Sequence, residues 1–307
     1  MKGTKRMKGT KRMNGFEVKI RKGLLLLCMC AVPLVSFGRS FVLKKGDASK
    51  LPKAQLFFKG NETVVASVVV TDRPFNADNT GKKDASGAIQ RALNRVSWAG
   101  GGVVYLPKGT YRLEKPLRIH GNVTLVGDVV PPGKASAAIL LAYSGHGDED
   151  GESLLNLNIG AALRNLTIAY PEQDPENIVP YPYTVKSQSG CTISNVIFCN
   201  SYSGIYLKME NCCMIANVRG TFLKNGIKTL RSTEFGWMHD VFMYVRYWKG
   251  YASTIVNKPL SSSQLKSVTE FVDNNLTGLR AGRMDCMAVY RLGIPNAKVP
   301  VRLEKGD

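Results

Sequence analysis

The sequence predicts an all-β solenoid, a parallel β-helix in which short strands wind in successive coils. Three observations predict it. Turn residues recur at a coil-length period: Asn165, Asn195, Asn217 and Asp240 are separated by 30, 22 and 23 residues, close to one solenoid repeat. Apolar residues keep fixed offsets from them, with Leu163, Ile193, Ile215 and Met238 two before and Leu166, Val196, Val218 and Val241 one after. The 30 glycines are spread along the chain, which favours many turns over long helices.

The elements follow in order. Residues 1–22 hold nine Lys/Arg and one Glu. The apolar run Leu24–Val35 comes next, too short to span a bilayer and suited to a secretory signal peptide. Ser36 and Gly38 place small residues at a cleavage site, so 1–38 reads as a signal peptide and the mature chain starts near Arg39. Cys28 and Cys30 lie in that run, but the residues before them are too large for a lipid-attachment site. No apolar run reaches 18 residues, so no ordinary transmembrane helix is expected. Residues 39–66 read as a Lys-rich arm or linker, and 67–307 as the β-helix domain. Val68–Asp72 reads as a short strand. Asp84 is the expected N-cap of a helix whose stripe is Ile89, Ala92, Leu93 and Val96. Gly100–Gly102 ends that helix. Val103–Leu106 is a strand, Pro107–Gly109 a turn, Tyr111–Leu113 extended again, and Val123–Gly127 the next strand.

The stretch FNADNTGKKDASGAIQRAL, AGGGVVYLPKGTYRL and NVTLVG resembles the N-terminal segment of the pectate lyase superfamily, in its rhamnogalacturonase/epimerase-like group. Ala88-Ile89-Gln90, the triple Gly and Pro107-Lys108-Gly109-Thr110-Tyr111 fit the family pattern well. Asn76, Asp78–Gly81 and Ala85-Ser86 depart from it. The resemblance implies a right-handed parallel β-helix whose N-terminal helix caps the coils. It also implies chemistry on polysaccharide: hydrolysis by two carboxylates, or elimination by a base with a lowered pKa, often with Ca²⁺. No cofactor is otherwise expected, and no metal ligands are assigned.

The repeat carries further expectations. Asn suits a left-handed turn residue, and stacked Asn amides can hydrogen-bond along a column. Cys191 and Cys213 each fall four residues before a turn Asn, so they should share an internal column. Five cysteines in the mature chain are too sparse and odd in number for a disulfide framework. Asn61, Asn122, Asn165 and Asn275 open Asn-x-Thr sequons, and for Asn165 the turn role is preferred. The acidic segment 145–153 and the Pro-rich segment 171–183 interrupt the coils as long loops, where binding function often sits. Ser261–Asp273 carries Leu265, Val268 and Val272 at helical spacing. Another coil follows and a strand begins at Val299; without a polar cap there, the chain reads as truncated at the C-terminus.

Candidate chemistry is sparse. Gly145-His146-Gly147 matches part of a polygalacturonase-type set, but no preceding Asp pair lies at a suitable coil position, so it reads as a loop coincidence. Asp148, Glu149, Asp150 and Glu152 lack calcium-loop spacing and read as a solvated turn. Gly127–Ala135 fails the phosphate-loop spacing, and His239 reads as a turn neighbour of Asp240. The repeat does predict one outward face. Tyr206 and Lys208 lie beside inward Ile205 and Leu207, with Lys228 and Leu230 a coil later and Thr184 and Lys186 a coil earlier. Tyr206, Lys208 and Lys228 are the candidate substrate-binding residues: the ring stacks on a sugar and the ammonium groups pair with uronate. The 171–183 loop, with Tyr181, Tyr183, Asp174 and Glu176, is the expected wall.

Net charge is +19, and beyond residue 22 there remain 33 basic against 22 acidic residues, +11. Such a surplus suits an anionic partner. With a signal for export to the periplasm, cell surface or medium, that partner is an acidic polysaccharide such as pectin rather than nucleic acid. Together with this, the resemblance implies the expected function, an exported polysaccharide lyase or glycoside hydrolase. The alternatives are a non-catalytic carbohydrate-binding or adhesion β-helix, an inactive enzyme fragment, and a tailspike-like protein, which the leader disfavours.

Overall fold

The structure, a computed structural model, describes residues 66–128, 137–208, 212–255 and 260–305. The expected signal peptide, residues 39–65 of the arm and most of the Gly127–Ala135 loop lie outside the described residues.

Successive coils are easily followed. The first holds β1 (Val68–Val69), β2 (Thr80–Asp84) and α1 (Ser86–Trp98). The second holds β3 (Gly102–Tyr105), β4 (Gly109–Leu113) and β5 (Leu117–Ile119), and the third β6 (Val123–Val126), β7 (Ala138–Ala142) and β8 (Leu155–Leu157). Then come β9 (Ala162–Ala169) with β10 (Tyr183–Ser187), the long bent strands β11 (Thr192–Leu207) and β12 (Met214–Ser232), and β13 (Gly236–Met243). Helices α2 (Arg246–Ile255) and α3 (Ser262–Asn275) precede β14 (Thr277–Met284), β15 (Met287–Gly293) and β16 (Val299–Leu303).

Every strand pairing among the described residues is parallel, and the pairings sort into three faces of a right-handed parallel β-helix. The first face runs through β1, β3, β6 and the starts of β9, β11, β12, β13 and β15. The second joins β2, β4, β7 and the later parts of β9, β11, β12, β13 and β15. The third joins β5, β8, β10, the ends of β11 and β12, β14 and β16.

The corner between the first two faces is where the repeat was read. Asn165, Asn195, Asn217 and Asp240 all have left-handed φ, at 54°, 54°, 52° and 56°. The amide of Asn195 donates to Asn165 Oδ1 at 3.0 Å, and that of Asn217 donates to Asn195 Oδ1 at 2.7 Å. The ladder thus satisfies side chains that a plain turn would leave to water. One left-handed residue also shifts the in–out alternation by one. Leu163, Ile193, Ile215 and Met238 before it, and Leu166, Val196, Val218 and Val241 after it, therefore all face the core, in register between coils. Cys191 and Cys213 are buried on adjacent coils, with Met214 N–H donating to Cys191 O at 2.9 Å. Neither forms a disulfide; the Cys191 thiol donates to Gln188 O.

Helix α1 buries Ile89, Ala92, Leu93 and Val96, the expected stripe, and lies against β1, β3, β5 and β6. Its N-cap position is held by Ala85, not Asp84, and has no side-chain cap. Asp84 acts one residue earlier: its carboxylate accepts from Ser86 N–H at 2.9 Å and from Ser86 Oγ at 2.5 Å. Gly101 (φ 113°) is required after the helix, since a Cβ there would lie 2.6 Å from Asn122 O. Helix α3 starts with a capping box, Ser261 with Gln264, and buries Val268 and Val272 as its spacing predicts.

Candidate functional site

The third face carries a charged column. Pairing places Lys186 beside Tyr206, Tyr206 beside Lys228, Lys228 beside Arg280, and Arg280 beside Arg302. Asn156 and Arg118 extend it toward the first coils. The alternation of a strand forces this arrangement: Val185, Ile205, Ile227 and Leu279 are buried in the core, so the next residue of each coil points outward. The ammonium groups of Lys186 and Lys228 sit 5.8 and 5.1 Å from the Tyr206 ring centroid, one on each side along the column. Each such contact contributes roughly 0.5–1 kcal/mol at an exposed site. Tyr183 adds a second ring, 5.4 Å from that of Tyr206. The Arg280 guanidinium donates through Nε and Nη2 to Glu304 Oε1, at 2.9 and 2.7 Å.

Two of the three predicted binding residues, Tyr206 and Lys228, stand in the column itself. Lys208 is exposed but lies one step past it, where its backbone N–H donates to Ser187 O at 3.2 Å. Thr184 is not outward: it is fully buried, with its Oγ1 2.9 Å from Tyr170 Oη and donating to Ser203 O. The segment after β9 folds Tyr170 over that position, which the repeat alone does not reveal. Arg280 and Arg302 were missed, although the signal was present. Gly204-Ile205-Tyr206, Gly226-Ile227-Lys228 and Gly278-Leu279-Arg280 are one triplet repeated in register.

The acidic loop is not merely solvated. Glu149 Oε2 accepts from Lys224 Nζ at 2.7 Å and from Tyr202 Oη at 3.3 Å. That bond to Glu149 raises the Lys224 pKa, so its amine stays protonated. Burial likewise pushes the Tyr183 phenol up, with Arg280 working against it. Neither group is set up as a base. His146 is exposed and packs edge-on to Tyr181, 5.5 Å between centroids. Among the described residues no three His, Cys, Asp or Glu side chains converge on a metal position.

The 171–183 loop divides between two places. Tyr183 reaches the column, whereas Tyr181 is buried. Asp174 lines a separate cleft of about 350 Å³ with Glu172, Asn200, Trp248 and Gln264.

A 62-residue stretch, 18% of this chain, is 42% identical to alginate lyase 7 of Azotobacter vinelandii, and spans 7% of that protein's length. A putative glycosyl hydrolase of Parabacteroides merdae aligns over 57% of this chain and 84% of its own, with 16% identity and a TM-score of 0.43. The exopolygalacturonase of Thermotoga maritima aligns over 72% of this chain and 60% of its own, with 12% identity and a TM-score of 0.40. The A-module of the A. vinelandii mannuronan C-5 epimerase AlgE6 aligns over 72% and 62%, with 15% identity and a TM-score of 0.39. Residues 68–225, just over half of the chain, match the model of a family described as rhamnogalacturonase A/epimerase, pectate lyase-like. The chain belongs to that family.

Proposed function

We propose that this protein is exported and acts on an acidic polysaccharide bound across the third face, over Lys186, Tyr206, Lys228, Arg280 and Arg302. The observation that carries the reading is the column itself: cations on adjacent coils, at the ~4.8 Å spacing of paired strands, interrupted by one ring. A polyuronate offers the complement, carboxylates along a chain of flat pyranose rings. The family supports a carbohydrate ligand, and the relative named an alginate lyase supports a uronate one.

The reaction is elimination or hydrolysis. A specific observation favours a non-catalytic binding protein as the second reading: the carboxylates beside the column are engaged, Glu149 and Glu304 in ion pairs and Glu152 as acceptor from Asn156 Nδ2 at 3.2 Å. The test is a panel of pectin-, alginate- and neutral polysaccharide-derived substrates. Reducing ends report hydrolysis and ultraviolet absorbance reports unsaturated products, with and without added Ca²⁺, the cation expected of a lyase. Product from an acidic substrate supports the enzyme; binding without product supports the second reading. Preference for neutral substrates contradicts both.

A further inference from the structure

Strand β13 carries rings that the third face does not use. Met238, Val241 and Met243 point into the core. The left-handed Asp240 shifts the alternation, leaving Trp237 and His239 outward on the first face and Phe242, with Tyr244 just beyond the strand, outward on the second. Trp237 is 49% exposed. The His239 ring stacks on Tyr290 of the next coil at 5.0 Å and 7°, and Phe242 stacks with Tyr244 at 6.0 Å and 11°.

Gly293, paired with Phe242, shows that this strip is built. A Cβ there would lie 2.8 Å from Phe242 Cδ1 and 2.9 Å from Tyr244 Oη, and its φ is not left-handed. The glycine therefore serves space rather than backbone conformation: it lets both rings lie down over the next coil. Guanidinium groups flank the rings. Arg219 lies 5.3 Å from the Phe242 centroid, with Nε donating to Asn217 Oδ1 at 3.2 Å. Arg246 lies 4.4 Å from the Tyr244 centroid. Arg291 lies 5.5 Å from the Tyr290 centroid and bonds Asp240, which also accepts from His239 Nδ1.

We infer that this strip is a second binding subsite for an acidic polysaccharide, crossing the corner between the first and second faces. Flat rings accept the C–H faces of pyranoses, and guanidinium groups between them suit carboxylates on the sugar edges. A protein partner would need aliphatic surface to bury, but the preceding coils beside the strip present Thr192, Ser194, Met214 and Ala216, of which Met214 alone is a large apolar side chain, and it is partly buried. The inference shares its ligand class with the proposed function and rests on different residues.

The test uses the full chain in a Trp98→Phe background, which leaves Trp237 as the exposed indole because Trp248 is buried. Indole emission is followed on titration with an oligogalacturonate and with a neutral cello-oligosaccharide. The expected result is a saturable change with oligogalacturonate that survives Lys186→Ala/Lys228→Ala. Phe242→Ala and Arg291→Ala, checked for an unchanged thermal melt, should each weaken it about tenfold, the scale of one lost ring or ion contact. Absence of any saturable change would overturn the inference. So would a change abolished by the third-face variant and untouched by the strip variants. An equal response to the neutral chain would overturn the assignment to an acidic ligand. The third-face proposal stands or fails separately, on the binding lost in its own variant.

Discussion

Two of the three corners that each coil turns differ in character. From β9 to β13 the chain passes between the first and second faces through one left-handed residue in each coil, and the side chains of Asn195 and Asn217 dock on the coil before. Between the second and third faces the path varies freely. β11 and β12 run straight through, whereas residues 143–154, 170–182 and 244–276 leave the coil there as loops or helices. The difference is physical. A turn whose amide must meet a neighbour one strand spacing away cannot change length without breaking the ladder. A corner satisfied by backbone pairing on either side tolerates insertion, because lengthening a surface loop costs little entropy. The laddered corner holds these later coils in register, and the variable one supplies Glu149 and Tyr183 to the third-face site.

Breaking the ladder at its middle should have the largest effect. Asn195→Ala removes two amide hydrogen bonds at about 0.5–1.5 kcal/mol each and places a Cβ-bearing residue with no amide in a left-handed turn, costing about 1–2 kcal/mol. Denaturant unfolding should show a loss of about 2–5 kcal/mol. Asn195→Gly keeps the conformation and should lose about half as much. Equal stability of all three proteins would show that the ladder is ornamental.

At the variable corner, substitutions should move binding more than stability. Arg280→Ala should weaken an oligouronate about fivefold, near 1 kcal/mol, with an unchanged melt. Glu149→Gln removes a surface ion pair, so its stability should change by less than about 1 kcal/mol. It also frees Lys224 and removes a like charge, and should tighten oligouronate binding. Weaker binding on calorimetric titration would mean that Glu149 contacts the ligand instead.

The smallest effect lies at the helix start. Burial pushes the Asp84 carboxyl up, but hydrogen bonds from Ser86 Oγ, Ser86 N–H and Glu114 N–H outweigh it and hold it below the ordinary value. A depressed folded pKa stabilises above the unfolded value near 3.9, and that stability is lost as pH falls through the folded one. The melting-temperature gap between parent and Asp84→Asn should therefore close between pH 5 and pH 2, about that value. A constant gap would place the effect elsewhere.

The repeat was legible because one residue type at one spacing dictates both turn and register. Asn195 fixed the in–out sense of Ile193 and Val196 on either side; that of Tyr206 and Lys228 came from the Gly-Ile pair recurring nine residues on, because register shifts between Phe198 and Ser203 break the alternation in between. What was hidden depended on contacts between distant segments. Helix α2 is short and contains Gly250, which hides the helical spacing of Trp248, Ala252 and Ile255; it forms where Trp248 packs in the core and its N–H donates to Thr221 Oγ1 at 2.8 Å. Thr184 shares the parity of Lys186, yet it is buried because Tyr170 covers it. Glu149 was visible as a charge, but its pairing with Lys224, 75 residues away, was not.

The central claim is that the third-face column binds an acidic chain through its cations and its ring. Its most direct test is titration of the parent and of Tyr206→Ala/Lys228→Ala with oligogalacturonate and a neutral oligosaccharide, at low and high salt. The account predicts that the double variant loses at least about tenfold in affinity for the acidic ligand, and that the parent's own affinity falls with salt as exposed charges are screened over ~8–10 Å. Unchanged affinity of the variant for every ligand the parent binds would contradict it and leave this face a solvated surface.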